Sequence, residues 1–140
     1  MSPIDDEIDE AAMAEAKAAL LALSAEYPGY AIADVEQMET CFAVLAAAGG
    51  AQPDRVAELY GVAHNVKGQG SAFGYELMTL YGEALCRLTR DRDCLDPAEL
   101  TSVAALLQAC RTVLTERLVG DGGLYGARLS ANLEPLLKAA

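Results

Sequence analysis

A chain of 140 residues is sized for one hydrophobic core, and 53 % apolar residues rich in Ala and Leu, with five prolines and no tryptophan, favour packed helices over a β-sandwich. The formal net charge of −11 disfavours nucleic acid and anionic membranes as partners. The longest apolar runs, Ala18 to Leu23 and Cys41 to Ala48, fall short of the ~20 residues of a bilayer span, so no membrane insertion is expected.

The first predicted element is an acidic amphipathic helix over about 6–26. Its acidic run Asp5–Glu10 complements the positive end of the helix dipole. An acidic start without an apolar leader segment predicts a cytoplasmic protein. Tyr27-Pro28-Gly29-Tyr30 reads as a turn. A second helix, about 31–48, carries the stripe Val35, Met38, Phe42 and Leu45 and stops at Gly49-Gly50. The third, about 53–71, gathers Val56, Leu59, Tyr60, Ala63, Val66 and Gly70 on one side. The fourth, about 74–90, does the same with Leu77, Leu80, Tyr81, Ala84, Leu85 and Leu88.

Asp96-Pro97-Ala98-Glu99 combines a capping aspartate, proline at the first helical position and glutamate three residues after the cap. It opens a helix over about 97–119 with the stripe Leu100, Val103, Leu107, Cys110, Leu114 and Leu118. After the turn Gly120-Asp121-Gly122-Gly123, a short helix is expected over about 130–138. Four long segments with short connections predict an all-α fold, an antiparallel up-and-down four-helix bundle over about 31–119. The extra N-terminal and C-terminal helices are expected against its ends or sides, in a single domain over 1–140. The four cysteines, Cys41, Cys86, Cys94 and Cys110, form no C-x-x-C pair and lie far from the only histidine, so they lack zinc-site spacing. They are read as free thiols, with Cys41 and Cys110 filling helix faces as small apolar residues.

The histidine, His64, is the focus of the functional reading. At about 100° per residue it falls about 110° from the centre of the apolar stripe on its helix, at the solvent edge. Its neighbours on that surface are Gly61, three positions before, and Gly68, four after. Each costs a helix interior about 0.5–1 kcal/mol relative to alanine, a loss that local structure does not explain. Bare positions on both sides leave the imidazole clear for a reactive atom of another protein. Lys67, one turn on, can neutralise a phosphoryl group on the ring, and Ser71 can offer its oxygens a hydrogen bond. No G-x-x-x-x-G-K-[ST] loop is present.

The stretch His64-Asn65-Val66-Lys67-Gly68-Gln69-Gly70-Ser71-Ala72-Phe73-Gly74 resembles the H-x-x-K-G-x-x-x-x-x-G pattern of histidine-containing phosphotransfer (HPt) domains, with Ala63 before it and Leu77 after it. Lys67 to Tyr75 is also similar to variants in bacterial stand-alone members. The resemblance implies a four-helix fold and a phosphoryl group shuttled between His64, through Nε2, and receiver-domain aspartates in a two-component phosphorelay. Implied partners are response-regulator receiver domains and a sensor, or hybrid, histidine kinase. Mg²⁺ belongs to the receiver, and the chain itself needs no cofactor or metal and has no ATP-dependent kinase activity of its own. The expected docking surface is Tyr60, Gly61, His64, Asn65 and Gly68 with the facing edge of the 74–90 helix, on a monomer. Two alternatives stand beside it. One is a histidine-kinase dimerisation module, but Asn65-Val66 follow the histidine where that family carries an acidic residue and a downstream proline. The other is a helical binding protein that keeps the fold without the chemistry.

Overall fold

Helical periodicity carries through into a chain built of six helices, described for residues 3–138, with side chains from residue 9 onward, in a computed structural model. They are α1 (Pro3–Ala47), α2 (Pro53–Gly70), α3 (Glu76–Thr89), α4 (Pro97–Thr115), α5 (Gly123–Asn132) and α6 (Glu134–Lys138). A 3₁₀ turn, Ser71–Phe73, follows α2. Among the described residues there is no strand, and no helix is long and apolar enough to cross a membrane. Asp5, Asp6 and Glu7 of the acidic run lie outside the described side chains.

The stripes anticipated from spacing converge on one core. α1 packs against α2 and α4, and α3 packs against the same two. Val35, Met38 and Leu45 of α1 are buried with Val56, Leu59 and Val66 of α2, Tyr81 and Leu85 of α3, and Val103, Leu106 and Val113 of α4. Each large side chain removed from water contributes about 1.5–3 kcal/mol. Leu80, expected in the α3 stripe, is exposed, and Met78 is fully buried in its place. The buried face of α3 is centred on Met78, Tyr81 and Leu85, because the helix is flanked by α2 and α4 together.

Two expected boundaries are overturned. Tyr27-Pro28-Gly29-Tyr30 is no turn: α1 runs unbroken through Pro28, merging the two expected helices of 6–26 and 31–48. Pro28 leaves the Ser24 carbonyl without its helical donor, at about 3 kcal/mol, and Gly29 adds about 1 kcal/mol. Tyr27 offsets this by inserting into the body of the protein, stacked on Phe73 with ring centroids 5.2 Å apart and tilted against Tyr75 at 5.0 Å. The expected packing of the N-terminal helix against the rest of the chain is not seen over residues 9–23, which are exposed. At the other end, helix resumes at Gly123 and not near 130, and a break at Leu133 separates α5 from α6. Leu133 is itself buried. The Tyr81 hydroxyl shares a 2.8 Å hydrogen bond with Ser130, and Arg87 donates to the Leu136 and Leu137 carbonyls, so α3 anchors the C-terminal segment.

Three helix ends follow one chemical rule. α1, the α2 and 3₁₀ unit, and α4 each close with a left-handed residue, Gly49, Gly74 and Arg117. In each case the next amide reaches back five residues: Gly50 to Leu45, Tyr75 to Gly70 and Leu118 to Val113, all at 2.9 Å. α4 therefore stops at Thr115, short of the expected 119. Its start has both halves of the expected capping box between Asp96 and Glu99.

Candidate functional site around His64

α2 owes its placement to the buried row Val56, Leu59, Ala63 and Val66, which turns residues 61, 64, 65 and 68 outward. His64 is exposed, as its angle from the stripe requires. Gly61 and Gly68 are exposed beside it, and a Cβ added at either meets nothing within 4 Å. Packing therefore does not demand glycine at these two positions. The Tyr60 ring, half-buried on the turn before, sits 6.0 Å from the imidazole between centroids. The Arg90 guanidinium from the end of α3 lies 5.9 Å from that Tyr60 ring.

Lys67 is on the adjacent turn, and its ammonium forms an ion pair with Glu83 of α3. That pair, with Arg87 also 3.7 Å from Glu83, holds the Glu83 carboxyl below the usual glutamate range, the Lys67 hydrogen bond being the main cause. The Lys67 main chain is fixed as firmly. Thr79 Oγ1 donates to the Lys67 carbonyl at 2.8 Å and accepts from the Ser71 amide at 2.8 Å. Gly82 allows α3 to come this close, because a Cβ there would sit 2.8 Å from the Lys67 nitrogen. Gly70 plays the same part on α2, its missing Cβ 2.7 Å from the Thr79 nitrogen. Thr79, Gly82, Glu83 and Arg90 escaped the sequence reading. The one local signal was Gly82, a glycine in the middle of an otherwise strongly helical segment.

Tyr60, Gly61, His64, Lys67 and Gly68 thus share one surface with an edge of α3, whereas Asn65 lies on the other flank of His64, toward α1. Ser71 is exposed further along the same side of the helix. It lies two turns beyond His64, about 10 Å along the axis, and its backbone amide is committed to Thr79. Asn65 bridges to α1 through Asp34, with Nδ2 to Oδ2 at 3.4 Å, and accepts from Gln69 at 3.3 Å. Among the described residues no group of three or more His, Cys, Asp or Glu side chains is placed to hold a metal ion. Chemically, the arrangement offers an accessible ring nitrogen with open approach on both sides and a cation one turn away. No family model, curated protein or solved structure matches the chain.

Proposed function

We propose that the chain is a histidine phosphotransfer protein, with α1 to α4 as the four-helix bundle that carries His64. The observation that supports this most is the clearing around His64: two glycines that packing does not require flank an exposed imidazole, and Lys67 stands beside it. A receiver domain docks over Tyr60, Gly61, Asn65 and Gly68. The lone pair of His64 Nε2 attacks the phosphorus of the receiver's phosphoaspartate in line, forming the P–N bond as the P–O bond to the aspartate breaks. The reverse step returns the group. Such transfer depends on positioning and on neutralising charge at the equatorial oxygens. Lys67 supplies that charge from this side, exchanging Glu83 for the more highly charged phosphoryl group, and the receiver's Mg²⁺ supplies it from the other.

The test is incubation with phosphorylated receiver domains, following the label on native protein, His64→Gln and Lys67→Ala. Label is expected on the native chain and absent from His64→Gln. Lys67→Ala is expected to take up label about tenfold more slowly or lose it faster, in line with removal of one charge-assisted contact. Failure of the native chain to accept label from any receiver would favour the binding-only alternative.

A further inference from the structure

The N-terminal half of α1 carries an apolar stripe that nothing in the described chain covers. Met13, Ala16, Leu20, Leu23, Tyr27, Tyr30 and Asp34 follow one another at alternating steps of three and four, so they form a single line along the helix. Only Tyr27 of this line turns into the core. Met13 is 73 % exposed, Leu20 48 % and Leu23 49 %. A solvated helix draws most of its stability from tertiary packing of its apolar face, and this stretch lacks such packing. The surface beside the stripe carries Asp9, Glu10, Glu15 and Glu26 against a single Lys17.

The line ends in a groove of about 450 Å³ between α1 and the end of α2. Leu23, Tyr30 and Phe73 form its apolar wall, and Asp34, Asn65 and Gln69 its polar side. Asp34 is half-buried there. Its contact is the long hydrogen bond from Asn65, and no ion pair holds its carboxylate among the described residues. An apolar line bordered by carboxylates and ending on a half-buried one is complementary to an apolar line bordered by cations.

We propose that the exposed half of α1 and the Asp34 groove together dock a basic amphipathic helix of a partner protein, with its apolar side chains on Met13, Leu20 and Leu23 and a Lys or Arg at Asp34. A second copy of this chain is the poorer occupant, because it would bring the same four carboxylates to the contact. The inference stands whether or not His64 carries a phosphoryl group, though Asn65 places the bound helix next to that residue.

The test titrates the full chain with a fluorescent amphipathic Leu/Lys helical peptide and with its Leu/Glu counterpart. Saturable binding of the Leu/Lys peptide alone is expected, weakened about tenfold or more by Leu20→Gln with Leu23→Gln, and separately by Asp34→Asn. All three positions are at least partly exposed, so the variants keep the fold, which circular dichroism checks. The proposal is overturned if the Leu/Lys peptide fails to bind, or if the leucine variants bind it as well as the native chain, which would leave diffuse charge attraction only. Equal binding of the Leu/Glu peptide overturns it too. So does sedimentation showing that the native chain self-associates and that the leucine variants do not.

Discussion

Gly68 and Gly82 are chemically identical and stand where they do for opposite reasons. Gly68 faces open space, whereas a Cβ on Gly82 would collide with the Lys67 backbone at 2.8 Å. Helix propensity alone predicts that alanine stabilises both by about 0.5–1 kcal/mol. Only Gly68→Ala should show that gain. Gly82→Ala should instead lose about 1–3 kcal/mol, because α3 must move away from α2. Urea denaturation of the two variants checks the pair of signs, and a gain at both positions would mean that the close approach of α3 to Lys67 is not tight. If clearance serves His64, a bulky residue at position 68 should slow phosphoryl transfer while leaving the urea midpoint near that of the native chain. The position of His64 on α2 was legible from sequence, because helical angle depends only on residues within two turns. Glu83 was not legible as the partner of Lys67, since it lies on another helix and the register between helices is set by details such as Gly82 and Thr79.

α1 shows why local punctuation misleads where tertiary contact outweighs it. Pro28 and Gly29 together cost a helix about 4 kcal/mol, so reading them as a turn follows from propensity. The burial of Tyr27 against Phe73 and Tyr75, 46 and 48 positions along the chain, supplies a compensation of similar size that no local window contains. The capping box at Asp96 was legible for the converse reason: all its partners lie within four residues. Between elements, Arg111 of α4 grips Glu39 of α1 through Nε at 2.9 Å and a second nitrogen at 2.5 Å. The Arg111 hydrogen bonds hold the Glu39 carboxyl below the usual glutamate value of 4.5. A carboxylate with a lowered folded value stabilises fully above its unfolded value and loses that contribution as pH falls through the folded one. Both side chains are about one-third exposed, so Glu39→Gln should cost only about 0.5–1 kcal/mol at neutral pH. The difference between native and variant urea midpoints should shrink as pH falls below the ordinary glutamate range and the Glu39 carboxyl takes up a proton, since the glutamine is uncharged at any pH. An undiminished difference at such pH would show that the substitution acts through packing.

Over the whole molecule, composition announced an all-helical chain, and the cysteines show how far the resulting core extends. Cys41, Cys86 and Cys110 are buried free thiols, and Cys94 is exposed. Burial pushes Cys110 up to about 12 and raises Cys41 and Cys86 as well, which suppresses the reactive thiolate. Iodoacetamide should therefore add once to the native chain, at Cys94, and at all four cysteines in denaturant, as counted by mass spectrometry. A second rapid addition under native conditions would reveal an opening of the core. Sequence placed Cys41 and Cys110 on inward faces but left Cys86 without a role, because the expected α3 stripe took in Leu80 and left out Met78. The left-handed closure shared by three helix ends has a further use. Gly49 and Gly74 adopt it freely, whereas Arg117 does so at φ 51° against the clash of its own Cβ. Arg117→Gly should relieve about 1 kcal/mol and raise the melting temperature by a few degrees. Because this corner belongs to α4 and not to the His64 surface of α2 and α3, the fold holds a stability reserve separable from that surface, a robust background in which costly substitutions near His64 can be made and the proposed transfer still assayed.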